Sequence, residues 1–160
     1  MKFRTGFGYD VHRLTQGREL WLGGVRLEHD CGLLGHSDAD VLIHAICDAL
    51  LGAANRRDIG FHFPDTGAEY KNIDSKILLA KTMDLLREEG YELGNLDATI
   101  CTERPKINPF IPGMKACLAE VMQVDEEDIS LKATTSEKMG FVGREEGMAA
   151  YCVVLIYKKS

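Results

Sequence analysis

Two short stretches, Tyr9-Asp10-Val11-His12 and Gly35-His36-Ser37-Asp38-Ala39-Asp40-Val41-Leu42-Ile43-His44, restrict the fold of this chain most, because each has a regular period that decides where its side chains point. Residues 3–14 mix aromatic residues, Thr and Val with Gly6 and Gly8 and lack a helical apolar period, so they read as a strand. On a strand alternate residues share a face, which sends Asp10 and His12 off the sheet together. The second stretch reads as a helix opening with Ser37 and Asp38 as N-caps. It continues through Val41, Leu42, Ala45, Ile46, Ala49 and Leu50 at spacings of three and four and stops at Gly52. Asp40, His44 and Asp48 form one stripe along it. Strand against helix is the packing that lets His44 join Asp10 and His12.

One aspartate and two histidines leave a fourth tetrahedral position open, which suits a catalytic zinc better than a closed structural one; spacing alone leaves manganese and cobalt as alternatives. Asp40 and Asp48 are candidates for orienting the imidazoles from behind. Taken singly, each ligand has an ordinary reading: Asp10 as a turn cap, His12 as a surface residue, His44 as a hydrogen-bonded core histidine. Taken together, they would have to share one point by accident.

A chain of 160 residues, 45% of them hydrophobic, can bury a core as one domain spanning 1–160. The net charge of −6 and scattered basic residues argue against nucleic acid or an anionic membrane as partner. Five cysteines, an odd number with no Cys-x-x-Cys pair, make a disulfide framework an unfavoured reading and fit a reducing cytoplasm. Met1-Lys2-Phe3-Arg4-Thr5-Gly6 has no apolar leader segment, so the mature chain is expected to begin here, and no run has the length of a membrane span.

Residues 72–89 read as a second amphipathic helix ending at Gly90, and 91–104 as a strand stopped by Pro105. Pro109 and Pro112 precede a third helix with Met114, Cys117, Leu118, Val121 and Met122 on one face. Residues 129–135 and 148–157 read as closing strands. Two early strands, helix, helix, strand, helix, strand, strand gives an α+β fold: a mixed sheet covered by helices on one face, with the other face available to another subunit.

Three further segments carry chemistry. Lys132 to Lys138 ends a strand with Thr134, Thr135, Ser136 and Glu137, able to address phosphate oxygens or a hard cation, although an N-cap cluster is the ordinary explanation. Asp58-Ile59-Gly60 and Phe63-Pro64-Asp65-Thr66-Gly67 read as turns that could also form a mobile lid over hydroxyl groups. In Met139 to Gly147, Phe141 and Arg144 lie among glycines that permit close backbone approach, in a segment suited to self-association, with a glycine-rich loop bearing one exposed aromatic as the ordinary reading.

The set Gly-Tyr-Asp-Val-His (8–12), Gly-His-Ser-Asp-Ala-Asp-Val-x-x-His-Ala (35–45), Asp-Ala-Leu-Leu-Gly-Ala (48–53), Asp-Ile-Gly (58–60), Phe-Pro-Asp-Thr (63–66), Lys-Ala-Thr-Thr-x-Glu-Lys (132–138) and Gly-Phe-x-Gly-Arg (140–144) closely resembles the 2-C-methyl-D-erythritol 2,4-cyclodiphosphate synthase family from about residue 3 to 157. The resemblance implies a single-domain sandwich whose sheets pack around a three-fold axis in a homotrimer, with active sites between subunits, in the non-mevalonate route to isoprenoid precursors. It implies cyclisation of 4-diphosphocytidyl-2-C-methyl-D-erythritol 2-phosphate with release of CMP. By motif, Asp10, His12 and His44 would hold zinc, Glu137 a magnesium or manganese ion, and His36 and Thr135 would stabilise the transition state. Asp10, Val11 and His12, with His36 and Ser37, Asp58, Ile59 and Gly60, and Phe63, Pro64, Asp65, Thr66 and Gly67, would surround the phosphates and methylerythritol. Pro105, Lys106 and Ile107, with Thr134, Thr135, Ser136 and Glu137, would face the cytidyl diphosphate. Phe141 and Arg144 would line an axial cavity that takes an isoprenoid diphosphate. The chain departs from the family pattern at Ala39, Gly67 and Glu145, the last adding a negative charge beside Arg144.

Two other readings use the same residues. A metal-dependent phosphohydrolase would need an activated water and a general base, for which Asp40 is the candidate. A trimeric metal-binding module without catalysis would rest on Phe141 and Arg144.

Overall fold

The computed structural model describes residues 2–64 and 66–158. Its first element is the long strand β1 (Phe3–Gln16), along which even-numbered residues from Arg4 to Leu14 turn inward and odd-numbered ones from Phe3 to Arg13 are exposed. Three short strands follow, β2 (Leu20–Leu22), β3 (Val25–Leu27) and β4 (Cys31–Leu34), and then helix α1 (Val41–Ala53). Further on come the one-turn helix α2 (Ile59–His62), α3 (Ser75–Glu88), β5 (Tyr91–Cys101), α4 (Ile111–Met122), β6 (Ile129–Thr134), the one-turn helix α5 (Gly140–Gly143) and β7 (Gly147–Lys158).

The main sheet has the order β4-β1-β7-β5-β6, antiparallel throughout except for the parallel pair β5 and β6, which α4 connects across the sheet. Helices α1, α3 and α4 cover one face. Helix α1 is buried on nearly every side, from Val41 to Ala53, because it lies between the sheet and α3. It rests directly on β1: a Cβ added at Gly8 would sit 1.9 Å from the carbonyl oxygen of Ala45, and one at Gly6 1.9 Å from that of Ala49. Only residues without a side chain let the backbones approach this far. The amphipathic α3 and α4 bury Leu79, Met83 and Leu86, and Met114, Leu118 and Met122, beside it.

The opposite face carries Phe3, Phe7, Tyr9, Val11, Tyr151 and Val153, all at least 40% exposed. Phe7 pairs across strands with Val153, and Tyr9 with Tyr151 at 5.0 Å between ring centroids. This is a contiguous apolar surface of the kind that another protein surface covers.

The α+β single-domain architecture with helices on one face agrees with the sequence reading, and several details correct it. Four strands precede α1 rather than two, β2 and β3 forming a separate hairpin about Gly23-Gly24. The N-cap of α1 is Asp40, whose carboxylate accepts from Ile43 N at 3.0 Å; Ser37 and Asp38 stand in the loop before it. Asp40 wins that position because it also accepts from Gly23 N at 3.0 Å and Gly24 N at 2.8 Å, tying the hairpin to the helix start. Asn72 has φ of 56°, so α3 begins after it, capped by Asp74. Pro112 lies inside the first turn of α4 rather than ahead of it. The five cysteines are all free, and no helix among the described residues is long and apolar enough to cross a membrane.

Candidate functional site

Strand β1 and helix α1 bring the three expected ligands together. Asp10 Oδ2 lies 2.9 Å from His12 Nε2 and 3.1 Å from His44 Nδ1, and the two histidine nitrogens are 3.1 Å apart. They are the one group of metal-ligating side chains found among the described residues. The outer ring nitrogens are engaged elsewhere: His12 Nδ1 with the carbonyl of Leu34 at 2.9 Å, and His44 Nε2 with Ser75 Oγ at 2.9 Å and Ser37 Oγ at 3.2 Å. If these outer nitrogens carry the protons, two lone pairs and a carboxylate oxygen converge on one point. Such a triangle is repulsive unless a cation or proton lies within it. Its edges are close to the ligand spacing of about 3.3 Å that tetrahedral zinc bonds of 2.0–2.1 Å require, so the residues fit a metal of this kind.

Burial works against ionisation of Asp10, but hydrogen bonds from His12 and His44 and their charges prevail and hold its carboxyl down at about 2. For His12, burial favours the neutral ring, and the hydrogen bond and charge of Asp10 outweigh it, raising the imidazole above its ordinary value.

Asp40 and Asp48 do not orient the imidazoles. Asp40 is fully buried and its oxygens serve the N–H groups of Gly23, Gly24 and Ile43. Burial raises its pKa against those bonds, with the charge of Asp38 adding to the effect. Held this way, it cannot act as a general base in a cleft. Asp48 accepts from Ile59 N at 2.8 Å and so fixes α2 to α1. The partners behind the histidines are Leu34, Ser37 and Ser75, of which only Ser37 lies in a segment marked by sequence.

A cavity of about 240 Å³ opens beside the triad. His36 and Ser37 line it, with Ile59, Gly60 and Phe63; Tyr70, Ile73 and Leu78 complete the wall. Nε2 of His36 is buried without a hydrogen-bond partner. Asp58 caps α2 by accepting from Phe61 N at 2.9 Å. Val11 turns its side chain to the open sheet face, leaving only its backbone between the two ligands. Pro64, Thr66 and Gly67 follow Phe63 in the connecting loop; Asp65 lies outside the described residues.

Of the second group of expected residues, Pro105, Lys106, Ile107, Thr134 and Thr135 line a separate groove of about 480 Å³ together with Thr102 and Glu103, while Ser136 and Glu137 lie in the loop beyond it. The loop after β6 bends through two left-handed non-glycine residues, Glu137 (φ 54°) and Lys138 (φ 61°). Glu103 supports it, its carboxylate accepting from Ser136 N at 3.1 Å, Ser136 Oγ at 3.3 Å and Lys138 N at 3.2 Å. Sequence reasoning missed Glu103. Glu145, which the sequence places beside Arg144, turns instead to Arg104, at 2.6 Å. Arg144 pairs with Glu146 at 2.9 Å.

The two pockets lie at separate strands of the sheet. Asp10 and His12 leave β1 on the helix face, whereas Thr134 leaves β6 on the open face, three strands away and so roughly 14 Å across the sheet.

The model of the YgbB family matches residues 3–157. Over 158 residues the chain is 75% identical to the 2-C-methyl-D-erythritol 2,4-cyclodiphosphate synthase of Parabacteroides distasonis, covering 99% of this chain and 98% of the relative. It is 69% identical over 156 residues to the protein of the same name from Bacteroides fragilis, covering 98% of each. Among solved structures, the bifunctional IspDF from Campylobacter jejuni superposes with a TM-score of 0.96 at 43% identity, covering 99% of this chain; this chain spans 43% of that longer one. The IspF of Plasmodium falciparum in complex with CDP gives 0.87 at 32% identity, over 99% of this chain and 97% of that one. The sheet, the Asp10–His12–His44 triad and these relatives agree, and the chain belongs to the YgbB family.

Proposed function

We infer that this chain cyclises 4-diphosphocytidyl-2-C-methyl-D-erythritol 2-phosphate to the 2,4-cyclodiphosphate with release of CMP, in the formation of isoprenoid precursors. The observation that carries the reading is the convergence of Asp10, His12 and His44 beside the His36 cavity in a chain of this family. The CDP held by a structural relative supports a cytidyl substrate.

In this reaction an oxygen of the substrate's own 2-phosphate forms a bond to the β-phosphorus while the bond from that phosphorus to the CMP oxygen breaks, its electron pair leaving with CMP. No side-chain nucleophile is needed. The chain's task is to fold the substrate so that attacking oxygen, phosphorus and departing oxygen are in line, an alignment that can lower a barrier by about 7–11 kcal/mol. Ile59, Gly60 and Phe63 wall the methylerythritol part, with Asp58 holding their helix. The Pro105–Ile107 and Thr134–Glu137 segments take the cytidyl diphosphate. His36 and Thr135 meet the charge that grows on the phosphoryl oxygens.

Asp10, His12 and His44 would hold zinc, and Glu137 a magnesium or manganese ion shared with the phosphates. Bound there, these cations supply Lewis-acid neutralisation of the two phosphate groups. The separation of the two pockets across the sheet, with the exposed apolar sheet surface, supports a homotrimer whose sites draw one pocket from each of two neighbours. Phe141 and Arg144 would then face the axis, where Arg144 could exchange Glu146 for an isoprenoid diphosphate. One catalytic domain over 1–160 in a reducing cytoplasm is consistent with the free cysteines.

Incubating the protein with the cytidyl substrate and following phosphorus NMR tests the reading: a cyclic diphosphate and CMP appear, and a chelator abolishes both. A ring-opened product carrying oxygen from labelled water would establish hydrolysis instead and overturn it.

A further inference from the structure

Ser75, the first residue of α3, is fully buried and stands directly behind a candidate metal ligand. Its hydroxyl donates to Asp38 Oδ1, and its backbone N–H donates to Asp38 Oδ2 at 3.0 Å. The same Oγ lies 2.9 Å from Nε2 of His44. A serine hydroxyl has one proton and two lone pairs. With the proton given to a carboxylate, Ser75 can offer His44 only a lone pair, so the contact between them requires a proton on Nε2. The nitrogen left for a metal is then Nδ1, the atom 3.1 Å from Asp10 Oδ2 and from His12 Nε2. Ser37 Oγ is the more distant neighbour of Nε2, at 3.2 Å, and also accepts from Ala39 N at 3.1 Å.

Resting on the metal reading above, we propose that Ser75, oriented by Asp38, is a positioning residue that fixes the tautomer of His44 and thereby turns its Nδ1 lone pair to the metal. The same contact anchors the substrate wall. Asp38 N donates to the carbonyl of Ile73 at 3.1 Å, and Asn72 N to that of His36 at 2.8 Å, so the segment carrying Tyr70 and Ile73 is held to the loop that Ser75 grips.

Two measurements test this. In metal-free protein labelled with 15N at histidine and held at pH 9, so that the neutral ring is observed, long-range 1H–15N spectra of His44 show the Nε2–H tautomer, which Ser75→Ala converts to a mixture while Ser37→Ala leaves it unchanged. In competition with a chromophoric chelator, Ser75→Ala weakens zinc binding about 10–100-fold. Asp38→Asn shifts affinity in the same direction, and its effect is not additive with that of Ser75→Ala, which keeps the test open should Ser75→Ala fail to fold. An unchanged His44 tautomer, or zinc affinity equal to that of the native chain, in a folded Ser75→Ala or Asp38→Asn protein overturns the proposal. A native chain that takes up no zinc overturns the metal reading instead, and the tautomer spectra then decide the role of Ser75 separately.

Discussion

His12 and Asp10 hold each other charged, and this gives metal-free and metal-loaded protein opposite responses to pH. The raised imidazole contributes stability that is complete below the unfolded value of 6.5 and is lost as pH rises through the higher folded value. Zinc must displace that same proton, so its affinity should rise about tenfold per pH unit up to the folded value and then level off. Thermal unfolding with and without zinc across pH 5–9 checks both trends; parallel curves would contradict them. His36 lines the cavity beside the three ligands, and its Nε2 is buried without a hydrogen-bond partner. His36→Ala should therefore lower the rate of CMP release by about 10²–10³-fold with zinc content unchanged, measured by turnover and metal analysis. At this scale the triad was legible because strand and helix periods decide which side chains share a face. Ser75 and Glu103 were not. They reach His44 and Ser136 from 31 and 33 positions away, through contacts that no local period announces.

Among the elements, the decisive contact is α1 on β1, because it places His44 opposite Asp10 and His12. Gly8→Ala would force a methyl group to 1.9 Å from the Ala45 carbonyl, immediately beside His44. The helix must move outward, costing about 1–3 kcal/mol and widening the triad. Chemical denaturation should show that loss, and zinc affinity should fall with it; a variant with native affinity would mean that the site tolerates displacement of its helix. Element types were readable from periodicity, but the start of α1 was not, since the choice of Asp40 over Ser37 and Asp38 depends on Gly23 and Gly24 arriving from another part of the chain. The β2–β3 hairpin itself carried a local signature, Gly-Gly between Leu-Trp-Leu and Val-Arg-Leu, that strand rules can recognise.

For the whole molecule, the proposed division of each site between neighbours makes a quantitative claim. A chain with His12→Ala and a chain with Thr135→Ala, each inactive alone, should recover about a quarter of native activity when refolded together in equal amounts, because one junction in four joins the intact halves. Recovery absent from well-formed mixed assemblies would place both halves in one copy. The apolar sheet face bearing Phe7, Tyr9 and Tyr151 then has a consequence reaching past its own burial. Competence becomes a matter of concentration: in sufficiently dilute solution a solitary copy would keep its ion and lose its chemistry, and specific activity would fall on dilution with no residue altered.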